Sequence, residues 1–258
     1  MAEEGGKKGM RVALVEFLNA VPLYYALKEN LVENDFEFIS DVPSMCARLL
    51  YENRVDISNT SIVEYVNSDN YRLLRDGCIS TLKKVKSVVL FVHKPINKVK
   101  VVKLDRNSKT SNALAMVIFK LKYGITADYV FEGEADCELV IGDRALKRLK
   151  QGGEPLDLAL EWYEFTGLPF VFAAWITNKP LDEYVVGKFL KAKEMGKKLI
   201  KEICSGYKSI IPEGECQTYL TENISYDFDA VKKESINVFF RYAYKIGAIP
   251  RKRELLFI

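Results

Sequence analysis

Short apolar runs alternate with amphipathic stretches along most of this chain. Residues 11–17 (RVALVEF) form an apolar run suited to a buried strand. Pro22 then fits the first turn of a helix, where its missing N–H costs nothing, and Leu23, Leu27 and Leu31 recur at i, i+4. The scheme repeats with a strand at 36–40, a helix capped by Ser44 with Met45, Leu49 and Leu50 on its apolar face, and a strand at 55–58. Asn59, Thr60 and Ser61 read as caps of a helix running through Tyr65, and 71–74 and 87–92 as strands.

A second series follows Pro95: a strand at 99–104, a polar turn at 107–111, and a helix with Ala113, Leu114, Val117, Ile118 and Leu121 on one face that stops near Gly124. Strands at 128–131 and 138–141, a helix over 142–149 and a Gly152-Gly153 loop come next. Residues 156–166 are short helix or irregular, closed by Gly167, and 169–176 is an apolar strand. The remainder reads as helices at 181–204, 213–223 and 229–246, with a last short strand at 255–257.

Alternating strands and helices imply an α/β fold with mainly parallel sheets flanked by helices. The two long apolar strands, 87–92 and 169–176, read as crossovers between two lobes. Lobe one is then 10–92 plus 177–258 and lobe two 93–176, while 1–9, charged and Gly-rich without an apolar core, is a flexible tail rather than a secretory signal.

Composition narrows the chemistry. The 258 residues suffice for two lobes with cores, and no apolar run reaches the roughly 18 residues of a membrane span. The net charge of +3 is dispersed, and the lysines from Lys188 to Lys201 sit at helical spacing, a solvated face rather than a nucleic-acid site. Five scattered cysteines without CxxC spacing point to reduced thiols in a cytoplasm, with neither a zinc site nor a disulfide framework. His93 is the single histidine, placed at a strand end, so catalysis built on several histidines is excluded. Neither GxGxxG nor GxxxxGK[ST] occurs, so no nucleotide cofactor and no metal are expected. Glu161 and Glu164 read as a solvated pair on a surface helix.

Four junctions share a strand, a short polar turn and a helix start: Asn19, Ser58 to Ser61, Ser108 to Ser111, and Gly142-Asp143. Each alone is an ordinary helix cap. Together they form a crevice beyond the strand ends, where helix N-termini and hydroxyls suit a small carboxylate or phosphate.

At these junctions the segments FLNAVPL (17–23), DISNTSIVEY (56–65), IGDRAL (141–146) and EWYEFTGLPF (161–170) resemble the chorismate dehydratase family. The resemblance covers almost the whole chain from residue 10 and implies a type 2 periplasmic-binding-protein-like fold with a ligand cleft between the lobes. It implies dehydration of chorismate to 3-[(1-carboxyvinyl)oxy]benzoate in the futalosine route to menaquinone, without cofactor. The substrate would be a small dicarboxylate, handled in the cytoplasm. By motif, Asn19 and then Ser87 are the catalytic candidates, and Ser58, Ser61, Ser108, Thr110, Ser111, Gly142 and Asp143 the substrate-binding ones. Lys86 stands where the family has Gly, and Asn59-Thr60 where it has a Pro-Ile pair; both departures are expected at the cleft. Two alternatives are a non-catalytic carboxylate-binding protein and the related 1,4-dihydroxy-6-naphthoate synthase, whose motifs differ from those above.

Overall fold

The computed structural model describes residues 9–152 and 155–258, so the expected tail, apart from Gly9, and Gly153 of the expected loop lie outside the described residues. Within the described residues the strands are β1 (Arg11–Val15), β2 (Glu37–Asp41), β3 (Ile57–Ser61), β4 (Arg72–Thr81), β5 (Val88–Val92), β6 (Val101–Lys103), β7 (Asp128–Val130), β8 (Cys137–Ile141), β9 (Leu156–Asp157) and β10 (Phe170–Thr177). The helices are α1 (Val21–Lys28), α2 (Pro43–Tyr51), α3 (Lys109–Val117), α4 (Gly142–Leu149), α5 (Leu158–Thr166), α6 (Glu183–Lys198), α7 (Ile200–Ser205), α8 (Glu213–Thr218) and α9 (Ala230–Lys245). None of them is long and apolar enough to cross a membrane.

Two five-stranded sheets result, in the orders β2-β1-β3-β10-β4 and β7-β6-β8-β5-β9. Each has a parallel core, β2-β1-β3 in the first and β7-β6-β8 in the second, with one antiparallel strand alongside. Those antiparallel strands are β10 and β5, the two long apolar strands of the sequence. Each is the strand by which the chain enters a sheet after passing from the other. The sheet limits therefore differ from the expected lobe limits: Val88–Val92 belongs to the second sheet and Phe170–Thr177 to the first. The crossings are the segments 82–87 and 167–169, and neither long strand spans both sheets.

Several local expectations shift for physical reasons. Pro43 rather than Ser44 opens α2, taking the first-turn position that tolerates a missing N–H. The polar residues Asn59 and Thr60 do not cap a helix; they lie inside β3, paired across from Trp175 and Ala174, and a 3-10 turn at Ile62–Asn67 follows. At the C-terminus only Phe257 bridges to Leu73. Cys204 and Cys216 form a disulfide that ties α7 to α8, against the expectation of reduced thiols; Cys46, Cys78 and Cys137 are free and buried. Glu161 is buried and bonded to Lys122 and Tyr123, each at about 2.5 to 2.6 Å, because α5 lies against the end of the α3 region rather than facing solvent.

Glycine decides one close approach that matters for the site. A Cβ on Gly196 would fall 1.9 Å from the Pro22 carbonyl oxygen, so only glycine lets α6 pack this closely on α1. That packing fixes the start of α1 and the turn before it.

Candidate active site

The first wall grows from β1. Its chain leaves the sheet at Glu16, makes a 3-10 turn over Leu18–Ala20, and turns into α1. Asn19 sits on this turn. The second wall is the C-terminal half of β3, Asn59 to Ser61, and the stretch of β10 opposite it. A register shift between Val171 and Ala173 places a bulge at Phe172, so that Phe172 and Ala173, neighbours in sequence, both face the same space. The second sheet contributes Ser87 at the start of β5, the first turn of α3, and the start of α4.

These elements enclose a cavity of about 50 Å³ between the two sheets. Its polar lining is Asn19, Asn59, Thr60, Ser61, Ser87, Ser108 and Ser111; Phe17, Phe172 and aliphatic side chains form the rest, with Gly142 among them. No side chain with a titratable group is among these lining residues. Among the described residues, Asn19 Oδ1 and both polar atoms of Asn59 are buried without a hydrogen-bond partner. Asn59 is fully buried. A buried amide left unpaired costs about 1–3 kcal/mol, so three such atoms on one small cavity mark a surface shaped for a guest that bonds to them.

The serines are oriented. Ser108 Oγ accepts from Ser111 N at 3.2 Å, capping α3, and its hydroxyl lies 2.9 Å from that of Ser111. Both hydroxyls stand at the positive end of α3, as an anion requires. Ser87 O accepts from Gly142 N at 2.8 Å, which locks β5 to the start of α4. Gly142 has φ +61, and a Cβ there would meet the Phe17 ring at 3.0 Å, so glycine lets the two walls touch.

Of the residues singled out by sequence, Asn19, Ser61, Ser87, Ser108, Ser111 and Gly142 are brought together on the cavity. Ser58, Thr110 and Asp143 are not among its lining residues. Ser58 is buried on β3, Thr110 Oγ1 accepts from Val63 N at 3.3 Å, and Asp143 accepts from Leu18 N at 3.0 Å. The last two bonds join the sheets rather than meeting a guest. Burial pushes the Asp143 carboxyl up, against the Leu18 N–H and Lys147, which pull it down.

Lys86 does not reach the cavity either. It is exposed, with φ +60, and it faces a separate depression that also includes Lys150 and Thr218. Its left-handed backbone is the conformation that favours glycine. The lysine is thus a local substitution in a strained turn, and it adds no cation to the site. Asn59 and Thr60 do line the cavity. Sequence reasoning took them for caps; the available signal was a polar run, ISNTS, that breaks two-residue alternation in a strand buried throughout. His93 is exposed just past β5.

A carboxylate group also gathers elsewhere, at Asp76, Glu194 and Asp227. Lys193 Nζ lies among the three at 2.5 to 2.8 Å, so their charge is met by an ammonium.

The sequence profile of the menaquinone biosynthesis family matches residues 10–245. The chain belongs to that family. It is 33% identical over 186 residues to a chorismate dehydratase of Campylobacter jejuni, covering 69% of this chain and 73% of that one. A chorismate dehydratase of Thermus thermophilus is 27% identical over 222 residues, 74% of this chain and 79% of that one. The fold is that of periplasmic binding proteins: the aliphatic sulphonate binding protein of Escherichia coli superposes with a TM-score of 0.66 at 13% identity, over 96% of this chain and 90% of that one.

Proposed function

We propose that this member of the family is a hydro-lyase that removes water from chorismate, giving 3-[(1-carboxyvinyl)oxy]benzoate. The observation that carries the reading is a cavity lined with amides and hydroxyls but with no titratable side chain. Such a site can hold and orient a polar guest, yet it has no acid or base of its own to offer. Chorismate suits it, because the molecule brings its own carboxylates. An adjacent ring proton passes to a substrate carboxylate, the ring C–O bond breaks, and the departing hydroxyl takes that proton from the carboxyl group and leaves as water. The ring becomes aromatic, which supplies the driving force. The protein's part is to align these groups and exclude water.

In this reading Ser87, Ser108 and Ser111 hold a carboxylate, aided by the N-terminus of α3. Asn19 Oδ1 accepts from the ring hydroxyl, and Asn59, whose donor and acceptor are both open, contacts the second polar end. A cavity of about 50 Å³ has room for only a few water molecules, so a ten-carbon guest requires the sheets to part. The hydrogen bonds and ion pair across the mouth include Leu18 N to Asp143, Val63 N to Thr110, Ser44 to Asn107 and Lys109 to Glu64. They suit hinge opening and closure around a ligand. A metabolite of biosynthesis as substrate supports a cytoplasmic location.

Purified protein incubated with chorismate tests this directly. Chromatography and mass should show an aromatic product lighter by one water. Because the substrate carries the base, kcat should stay flat from about pH 6 to 9, between the usual carboxylate and phenol ranges. A bell-shaped profile in that window would point to a protein acid and base and defeat the proposed chemistry. Asn19→Ala should abolish turnover with the fold intact. No turnover, together with thermal stabilisation by a carboxylate, would instead make this a binding protein.

A further inference from the structure

Tyr219 lies behind the cavity wall, 1% exposed and absent from the lining. Its hydroxyl donates to Ser87 Oγ at 2.7 Å. The Asn19 amide lies near the same phenol and, as a donor would, draws its pKa down. Burial, the largest influence, raises this phenol well above its ordinary range, so it keeps its proton.

The polarity of this chain of groups is determined. Asn19 Oδ1 has no partner among the described residues, and the amide acts on the phenol as a donor, so Nδ2 is the end turned toward Tyr219. The phenol gives its single proton to Ser87 Oγ, which leaves its oxygen to receive that donor. Having accepted, Ser87 has its own O–H left to give. Two groups on the cavity wall therefore acquire fixed and opposite character, Asn19 Oδ1 as acceptor and Ser87 O–H as donor. Without the phenol, an amide can reverse its ends and a hydroxyl can rotate among staggered positions.

We propose that Tyr219 is a positioning residue that sets the hydrogen-bond polarity of Asn19 and Ser87, so that the site offers an acceptor to the substrate's ring hydroxyl and a donor to its carboxylate. This rests on the dehydratase reading for the identity of the substrate, though not for the relay itself. The placement of Tyr219 is built in from both sides. It follows α8, three residues beyond Cys216, whose disulfide to Cys204 ties this segment to α7. Its carbonyl accepts from Ile224 N at 3.2 Å.

The test is Tyr219→Phe, which keeps the ring and removes only the hydroxyl. With chorismate as substrate, kcat should fall about 10- to 100-fold, with KM moving by less than about threefold. Adding the change to Ser87→Ala should cost less than about threefold more, since Tyr219 acts through its neighbours. Fluorotyrosine at 219, which restores a hydroxyl, should recover most of the rate. Wild-type-like kcat in Tyr219→Phe, or penalties that multiply in the double variant, would overturn the proposal and leave the dehydratase reading standing. If the native protein does not turn chorismate over, calorimetry with isophthalate, a rigid dicarboxylate, separates the two ideas. Equal weakening by Tyr219→Phe and Ser87→Ala then supports the relay while the dehydratase reading fails. Unchanged affinity in Tyr219→Phe, or no binding by the native protein, overturns the relay as well.

Discussion

Two buried polar clusters in this molecule are built in opposite ways. At the crossing between the sheets, Asp157 accepts four backbone N–H groups: Val85 at 2.9 Å, Lys86 at 2.7 Å, Ala159 at 3.1 Å and Leu160 at 3.2 Å. It caps α5 and clamps the turn that presents Ser87. On the cavity wall, Asn19 and Asn59 keep three amide atoms without partners among the described residues. Folding completed the first cluster and left the second incomplete. A buried polar group that is fully bonded serves the fold, whereas one held open at a cavity reserves its bonds for something that arrives later.

Breaking the completed cluster should have the largest effect on stability. Asp157→Ala removes a helix cap and strands the N–H groups of Val85 and Lys86 in the crossing turn, the first of them buried. A loss of about 3–5 kcal/mol is expected, read as a lower urea midpoint with unchanged slope. Turnover should fall as well, because Ser87 follows that turn directly. A loss below about 1 kcal/mol would show that the turn holds itself and that Asp157 is incidental.

The disulfide comes next, because it fixes the segment that carries Tyr219 toward the open cluster. Cys204 and Cys216 are twelve residues apart, and opening a loop of that size should cost about 2–3 kcal/mol. Thermal unfolding with and without reductant measures this, and the Cys204→Ala/Cys216→Ala variant should match the reduced protein. If reduction lowers stability but leaves kcat alone, Tyr219 is held well enough by its own contacts.

The contrast between the clusters also marks what sequence conveys. The strand-to-helix junctions at Asn19, Ser108 to Ser111 and Gly142-Asp143 are legible because polar residues follow apolar runs, and six of the nine proposed site residues line the cavity. Thr110 and Asp143 have the same residue types at the same kind of junction, yet they serve sheet-to-sheet bonds, while the Ser58 hydroxyl is buried without a partner among the described residues and is not part of the cavity lining. Chemical type cannot distinguish those uses; only the partner of each atom does. Asn59 was misplaced because a polar run was taken to end the strand, when β3 continues through it with the residues buried. Tyr219 and Asp157 gave no local signal at all. Their partners lie 132 and about 70 residues away, and nothing in their neighbourhoods announces the pairing. The disulfide escaped for the same reason, since its cysteines meet only once α7 and α8 fold back on each other.

A third change tests the open cluster with a small effect on stability and a large one on binding. Asn59→Leu replaces two unpaired polar atoms by an apolar group of similar volume. Stability should stay level or rise by up to about 1 kcal/mol, while affinity for chorismate or its turnover drops at least about tenfold. Destabilisation comparable to Asp157→Ala would mean that Asn59 is bonded in the folded protein and that the two clusters are alike.

The smallest effect sharpens what completion means. Asp56 is another buried carboxylate, and it too is fully engaged, by Arg11 through its backbone and guanidinium and by Lys179. Burial acts to raise its pKa, but the bonds to Arg11 and Lys179 prevail and hold it below the usual carboxylate range. Asp157 moves the other way, because burial outweighs its four N–H bonds. The linkage signs are therefore opposite. Asp56 binds fewer protons folded than unfolded, so its stabilisation is present above the ordinary carboxylate pKa and is lost as pH falls through that range to its lowered value. Asp157 binds more protons folded than unfolded just above the ordinary value, so its contribution declines as pH rises through that window. Urea midpoints of native protein and Asp56→Asn should differ most at neutral pH and converge once the pH falls below the lowered pKa of Asp56. For Asp157→Asn the gap to native protein should instead widen on acidification through the same range, since there the native carboxyl gains its proton in the folded state first. Parallel curves for the two variants would show that ion pairs and amide bonds satisfy a buried carboxylate equally, and that completion alone, rather than the charge of the partner, sets its response to acid.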